Sequence, residues 1–469
     1  MEEYKKKFTF LCDLASLGQP LKIMPLSGGG GDRKYFRIQL SEGADVIGVV
    51  ADDLKDSEAF INLSIVFRRH NINVPQVLAH TSDYRYYLEE DLGNESLFDL
   101  ISQGKNVEPL VSEVMSELAK MQCISQQEWS DLTAYRSVSE RQIKWDLNYF
   151  KYEYLKPAGI NFDEDKLEDD FQKLANLILD IPKELWGFQM RDCQSRNIML
   201  HPEPYFIDYQ GGRFGPCLYD AVSFLWQAKA GFDDEFRAKM FDLYVSEFSK
   251  LRKINKEDII KYRNVMVLFR ILQVLGAYGF RGLIQKRAHF IESIPGALKN
   301  LSQLLETGVI DSFPELKKVS LLLINDERFF EEEKGKLRVK VFSFSYKKGY
   351  PEDFSGNGGG FMFDCRGMHN PGRYDEYKNL TGRDKPVKDF LEERGEAQTF
   401  INNAYQLVSP SVDRYLKRGF SSLHIGFGCT GGRHRSVYCA ENVAHLISRN
   451  FPDACVELIH REQNIKELL

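Results

Sequence analysis

MRDCQSRNIML at residues 190–200, followed by YFIDYQGG at 205–212, is the stretch on which the fold turns. Apolar pairs at Ile198, Met199 and at Phe206, Ile207 mark two short strands around a polar loop. Asp192 and Asn197 stand five positions apart in that loop, and Asp208 follows the second strand. Phosphoryl transfer needs a carboxylate that orients or deprotonates an acceptor hydroxyl. It also needs oxygen ligands for a Mg²⁺ ion that bridges nucleotide phosphates. The spacing offers Asp192 for the first task and Asn197 with Asp208 for the second. Each alone reads as an ordinary loop residue; the joint pattern is that of a kinase catalytic loop.

The chain before this loop reads as a small sheet-rich lobe. LKIMPLSGGGGDRKYFRIQL at 21–40 is a glycine-rich hairpin, VIGVVAD at 46–52 a strand, and YYLEEDLG at 86–93 a strand leading into a connector. A helix is expected around Ser57–His70. Gly28, Gly29, Gly30 and Gly31 can bring backbone N–H groups close to ATP phosphates, and a flexible turn is the plain alternative. Glu90 and Leu92 fall where a kinase hinge meets adenine, mostly through backbone groups. A typical kinase also carries a lysine on the strand after the glycine loop. Here that strand reads VIGVVADD, with Asp52 near the expected place, so Arg33, Lys34 and Arg37 are the candidate phosphate cations.

From Ser96 to Ile181 and again from Tyr219 to Leu305 the apolar spacing is helical. Val265–Gly279 is the most apolar run; it holds Arg270, is too short to span a bilayer, and reads as a core helix. A charged run at Asp326–Lys340 divides the chain. The expected domains are 1–333, with lobes at about 1–92 and 93–310 and a connecting segment at 311–333, and 334–469. The first is an α+β bilobal protein-kinase-like fold. The second alternates strands (LRVKVFSFSY, FMFDCRG, LHIGFGC) with helices and is α/β.

In the second domain LHIGFGCTGGRHRSVYCAE at 423–441 sets a glycine-rich turn between a strand and a helix. Free N–H groups at the helix start, with Arg433, His434 and Arg435 beside them, make an anion site, because basic residues there oppose the helix dipole unless an anion is present. Ser436 is placed to cap the helix and to donate to a phosphate. Cys429 and Arg435 also have the C-x5-R spacing of cysteine-dependent phosphatases, in which a thiolate attacks phosphorus. Both readings stay open on spacing alone.

Composition sets the outer bounds. The 469 residues call for two or three domains, 43% apolar content supplies their cores, and a net charge of −6 argues against a dedicated nucleic-acid or membrane-surface protein. From Lys334 onward the charge is +5, and before it −11, which suits an anionic ligand in the second domain. The N-terminal MEEYKKKFTFLCDLASLG has no apolar core of signal-peptide length, since Asp13 interrupts it. Eight scattered cysteines without paired spacing fit reduced thiols, so a cytoplasmic setting is expected.

Residues 5–305 resemble the aminoglycoside-phosphotransferase/choline-kinase superfamily. The likeness lies in GGGGDRKYFRI, VPQVLAH, LEEDLG, MRDCQSRN and IDYQGGRFGPCLYDAVSFL, and is strongest to its cell-wall amino-sugar branch, the N-acetylmuramate and N-acetylglucosamine anomeric kinases. The resemblance implies ATP and Mg²⁺ as cofactors, Asp192 as catalytic base, Asn197 and Asp208 as metal ligands, and Asp220 as a buried brace of the catalytic loop. Residues 339–469 resemble the C-terminal domain of the RNase adapter protein RapZ through FSFSYKKG, FDCRG, NPGRY, LTGRDKPVKDFL, GCTGGRHRSVYCAE and His460–Arg461. That domain implies a sensor of a phosphorylated amino sugar. Lys347, Arg366, Cys429, Thr430, Gly431, Gly432 and Arg435 are the residues carried over, and Gly372 stands where the family has a longer side chain. The adapter's nucleotide-binding half has no counterpart, since no GxxxxGK[ST] occurs. An RNA or RNase partner rests on this resemblance only. The expected function is therefore an amino-sugar kinase with an attached phosphosugar-binding domain. A choline-like or aminoglycoside-directed kinase and a non-catalytic scaffold are the alternatives.

Overall fold

Phe8, Leu11 and Cys12 recur on one face of the first helix, Glu2–Leu14, and all three are buried. They pack on Phe36, Ile38, Val46 and Leu88, so the N-terminal segment belongs to the fold of the small lobe. The computed structural model describes residues 2–26, 33–134, 137–326, 337–351 and 360–469. Five antiparallel strands form the lobe's sheet: β1 (Pro20–Pro25), β2 (Lys34–Leu40), β3 (Val46–Val50), β4 (Val77–His80) and β5 (Tyr86–Glu90), in the order β1-β2-β3-β5-β4. Because side chains alternate across a strand, Phe36 and Ile38 face the first helix while Tyr35 and Arg37 face the other side. That second face looks onto the helix Leu54–Arg69. Asp53 caps this helix by accepting from the N–H groups of Lys55 and Asp56.

The larger lobe is mostly helical. Helix Arg263–Tyr278 buries Met266, Leu268, Ile271, Leu272 and Leu275 among its neighbours, which matches a core helix for the most apolar run. Two small ribbons carry the polar loops: β6 (Trp186–Gln189) pairs with β9 (Arg213–Pro216), and β7 (Ile198–His201) with β8 (Glu203–Phe206). A sheet-rich lobe followed by a helical lobe is the protein-kinase-like arrangement. By internal packing the first compact unit holds residues 1–280 and 293–325, and the second 281–292 and 326–469.

The second unit has its own core, with Val339, Val341, Ile425, Phe427, Val443 and Leu458 fully buried. Its strands are β10 (Arg338–Ser345), β11 (Gly360–Asp364), β12 (Ser422–Cys429), β13 (Cys455–His460) and β14 (Ile465–Leu468), ordered β11-β12-β10-β13-β14. The first four run parallel, and β14 is an antiparallel edge. The chain leaves β10 toward β11 on one side and later crosses from β12 to β13 on the other. The carboxyl ends of β10 and β12 are thus a topological switch point, where open α/β sheets bind ligands.

Candidate active site and candidate anion loop

The catalytic loop of the first unit begins with strain. Arg191 and Asp208 both sit in left-handed backbone, at φ 76° and 63°, which costs an ordinary residue of order 1–3 kcal/mol. Asp220, fully buried in the helix Leu218–Leu225, holds the loop there. Its carboxylate accepts from Met190 N at 2.7 Å, Arg191 N at 2.9 Å and Gln122 Nε2 at 3.1 Å. Burial pushes the Asp220 carboxyl up to about 7, against the pull of those three donors. Gln122 is held in turn by the hydroxyl of Tyr244, at 2.7 Å.

Asn197 joins the three residues of the sequence pattern. Its Nδ2 donates to the Asp192 carbonyl at 2.9 Å and to Asp208 Oδ2 at 3.2 Å, while Gln210 Nε2 donates to Asp208 Oδ1 at 2.6 Å. The Asp192 carboxyl is open to solvent on one side and crowded by protein on the others. Desolvation raises its pKa first and the charge of Asp208 second, with Arg270, Arg191 and Arg213 opposing. Arg191 is anchored to Asp146 at 3.0 Å, and Arg270 donates to Tyr219 Oη and Gln273 Oε1 at 2.9 and 2.8 Å. Arg270 was visible in sequence as the charge inside an apolar helix. Asp146 and Gln122 carried no signal, because their roles depend on contacts between distant segments, with Arg191 and with Asp220.

Buried polar groups between the lobes lack partners among the described residues. Tyr87 Oη, Glu89 Oε2 and Gln210 Oε1 are buried with no hydrogen-bond partner among the described residues, and so is one terminal nitrogen of Arg33. Orphaned polar atoms of both kinds, donor and acceptor, suit a polar ligand such as ATP. Asp208 carries carboxylate oxygens and the neighbouring Asn197 an amide oxygen, the donor type that Mg²⁺ takes, and so their chemistry fits that ion. Burial pushes the Glu89 carboxyl up to about 8.

Several expectations for this cleft change. Lys34 points to the far face of β2, with Phe36 and Ile38, and is exposed, so it is no phosphate ligand. Arg37 lies on the cleft face but grips the hinge, pairing with both oxygens of Asp91 and donating to Gly93 O at 3.1 Å. Glu90 has its N–H bonded to Gln76 O and its carboxylate on Gln76 N and Arg68, so it presents neither to adenine. Leu92 is buried at the end of the hinge. Asp52 turns outward to Arg85, leaving Ala51 on the cleft face. Gly28, Gly29, Gly30 and Gly31 lie outside the described residues.

In the second unit the anion loop runs from the end of β12 to the helix Arg435–Asn450. Cys429 Sγ accepts from Gly432 N at 3.2 Å and lies 3.1 Å from Ser436 Oγ. Burial alone would push this thiol up, but the bond to Ser436 and the N–H groups of Ser436 and Arg433 pull it below its ordinary value. Gly432 has φ 63°, and a Cβ there would lie 2.4 Å from Glu462 Cγ, so glycine is required. His434, rather than Ser436, occupies the cap position. Ser436 is the second residue of the helix, with its hydroxyl beside the sulfur. Arg435 is buried, and its NH1 donates to the carbonyls of Arg366 and Met368 at 2.9 and 2.7 Å. Its charge therefore braces the preceding segment. Thr430 and Gly431 are exposed, and Thr430 O accepts from Ser345 Oγ at 2.8 Å, tying the loop to β10. Lys347 is exposed just beyond β10, and Arg366 is paired with Asp364 and stacked 4.1 Å from the Tyr346 ring.

Residues 22–254 match the phosphotransferase enzyme family, and residues 337–464 match the RapZ C-terminal domain. Among solved structures the chain is similar to an ethanolamine kinase of Plasmodium vivax. The two are 14% identical over 61% of this chain and 82% of that one, with a TM-score of 0.43. It is also similar to a macrolide 2'-phosphotransferase of Brachybacterium faecium, 10% identical over 68% and 98% with a TM-score of 0.41. A choline/ethanolamine kinase family protein of Mesorhizobium loti is 12% identical over 68% and 98%, with a TM-score of 0.41. The chain thus joins a segment that matches the phosphotransferase enzyme family to one that matches the RapZ C-terminal domain.

Proposed function

We propose that the first domain is an ATP- and Mg²⁺-dependent kinase of a hydroxyl on an amino sugar, close to the anomeric kinases, and that residues 334–469 bind a phosphorylated amino sugar. The observation that carries the choice of acceptor is the set of three guanidinium groups whose charge reaches Asp192. Arg270, Arg191 and Arg213 all act on its charge. A polycationic aminoglycoside or a choline ammonium would be repelled by them, whereas a neutral N-acyl sugar is not. Asp192 orients the hydroxyl and takes its proton. Its raised pKa brings it nearer the operating pH, as a base requires. Asn197 and Asp208 would hold Mg²⁺, which would supply charge neutralisation at the phosphates. Asp220 fixes the backbone at Met190 and Arg191, and with it the position of the base.

The test is an ATP-consumption screen of the whole chain against N-acetylated amino sugars, choline and aminoglycosides. Turnover with the N-acyl sugars alone is expected. Turnover confined to a cationic acceptor would sink the amino-sugar reading.

For the second domain, the switch-point position of the loop and its N–H groups support phosphate binding. The lowered Cys429 thiol, on which the Arg435 charge also acts, favours a phosphatase, but one terminal nitrogen of Arg435 is already committed to two backbone carbonyls. Binding of glucosamine-6-phosphate without release of phosphate is expected. Release that disappears in Cys429→Ser would establish the phosphatase instead. We place the domain boundary after residue 333 and the protein in the cytoplasm.

A further inference from the structure

We propose that Arg33 is the cation that contacts the nucleotide phosphates, performing from β2 the task that a β3 lysine performs in other kinases. The inference rests on the kinase reading above and adds the residue that the sequence left open.

The vacancy is specific. Alternation on β3 puts Ile47 and Val49 on the cleft face and Ala51 next in line, and all three are buried and apolar. No cation comes from this strand. The register pairs Lys34 with Val50, so the next step along β2 sets Arg33 beside Ala51. A guanidinium on the neighbouring strand can reach the space that an alanine leaves.

Its surroundings are those of a phosphate cation. Arg33 lies 5.6 Å over the Phe60 ring of the helix Leu54–Arg69, and bonds to Tyr35. Its charge acts on Asp56 in the first turn of that helix, on Glu89 of β5, and on Asp208. Kinases anchor their lysine to a helix carboxylate and aim it at the phosphates beside the metal; Asp56 and Asp208 occupy those two sides. One terminal nitrogen of Arg33 is nonetheless buried without a partner among the described residues, as is Glu89 Oε2. A buried guanidinium nitrogen with no acceptor is costly unless a ligand supplies one, and non-bridging phosphate oxygens match its fork of donors. The other candidates are committed elsewhere. Lys34 faces away, Arg37 holds the hinge, and Arg85 pairs with Asp52.

The experiment compares the full chain with Arg33→Met, which keeps the apolar stem over Phe60, with Arg33→Lys, and with Lys34→Ala. Calorimetry reads the affinity for ADP with Mg²⁺ and, separately, for adenosine. Loss of one charge-assisted bond predicts at least a tenfold weaker ADP in Arg33→Met, on the order of 1.5–3 kcal/mol. Partial recovery is expected in Arg33→Lys, wild-type affinity in Lys34→Ala, and unchanged adenosine throughout. A merely structural arginine would weaken adenosine and ADP together, and that result overturns the inference. So does wild-type ADP affinity in Arg33→Met. A wild-type chain that binds neither nucleotide nor nucleoside overturns the kinase reading itself, and this inference with it.

Discussion

Asp220 in the first unit and Glu441 in the second are both buried acids on helices, and each ties several segments together. Burial raises the pKa of both, yet Asp220 ends at about 7 and Glu441 at about 2. The difference lies in their partners. Asp220 accepts from two backbone N–H groups and an amide, all neutral donors. Glu441 is offset by His460, Lys388 and Arg383, the last at 2.7 Å. Neutral dipoles hold a carboxylate in place without fully repaying its desolvation, whereas formal charges more than repay it. The first arrangement serves a loop whose geometry is the point; the second serves as a staple of the β-sheet and its helices. The contrast between the two sites is weaker. Both sites leave buried polar atoms without partners among the described residues, Tyr87 Oη and Glu89 Oε2 in the cleft and Arg435 Nε at the anion loop, but the loop also ties its sulfur to Gly432 N and Ser436 Oγ and one Arg435 nitrogen to two carbonyls.

On the proposed reading chemistry belongs to the cleft, and the strongest way to break that reading is Asp192→Asn. General-base assistance contributes roughly 10²–10⁴-fold, so turnover with the best acceptor should fall by about 10³-fold. Affinity for ATP should stay within about twofold, since only the acceptor side is altered. Steady-state kinetics with a nucleotide titration reads both. Wild-type turnover would show that the loop has been misassigned.

Glu441→Gln probes the other side. The folded pKa of about 2 lies below the ordinary 4.5, so the folded state favours the carboxylate. That stabilisation is complete above about pH 4.5 and is lost as the pH falls through 2. The shift corresponds to about 3 kcal/mol, which the variant should lose in urea unfolding at pH 7. Its stability should then fall less steeply than wild type between pH 4.5 and 2. Turnover should not change. Equal acid limbs in the two proteins would mean that the charged partners contribute nothing.

Asp220→Asn should reverse that division. One donor now meets an amide NH₂ instead of an oxygen, and the left-handed turn at Arg191 loses a bond. A displacement of about 1 Å in the base costs on the order of 10²-fold in turnover. The global unfolding free energy should move by only about 1 kcal/mol, because the isostere also removes the burden of a buried acid. Kinetics and urea unfolding on one preparation separate the two effects. A large stability loss with intact turnover would make Asp220 a staple like Glu441.

What could be read from the sequence follows physical range. The catalytic loop was legible because Asp192, Asn197 and Asp208 are close in the chain, and the structure brings Asn197 into contact with both aspartates' segments. The buried helix around Arg270 and the strand-loop-helix at Cys429 were legible for the same local reasons. The phosphate cations were not sorted, because Arg33, Lys34 and Arg37 look alike in sequence. Only strand alternation and the pairing of Arg37 with Asp91, 54 positions away, separate them. The role given to Ser436 changed because the sulfur of Cys429, and not the helix end, claims its hydroxyl. The sequence also could not foresee that one terminal nitrogen of Arg435 would donate to the carbonyls of residues 366 and 368.

Tyr209 supplies the smallest and most discriminating case, a buried neutral bond with no charge involved. Its ring stacks on Phe60 with centroids 5.0 Å apart and meets Phe67 edge-on at 5.3 Å, linking the catalytic segment to the helix Leu54–Arg69. Its hydroxyl lies 2.7 Å from Ser64 Oγ. Ser64 also donates to Phe60 O at 2.7 Å, so removing the tyrosine hydroxyl leaves no orphaned donor. Tyr209→Phe should therefore cost about 1 kcal/mol or less, with turnover within about twofold. Tyr209→Ala removes the rings' contact as well and should cost about 3–5 kcal/mol, since a cavity opens between Phe60 and Phe67. Thermal and urea unfolding of the three proteins measure the split. If the phenylalanine variant loses as much as the alanine one, the hydroxyl and not the ring couples the two segments, and neutral buried bonds in this unit count for more than the contrast between Asp220 and Glu441 allows.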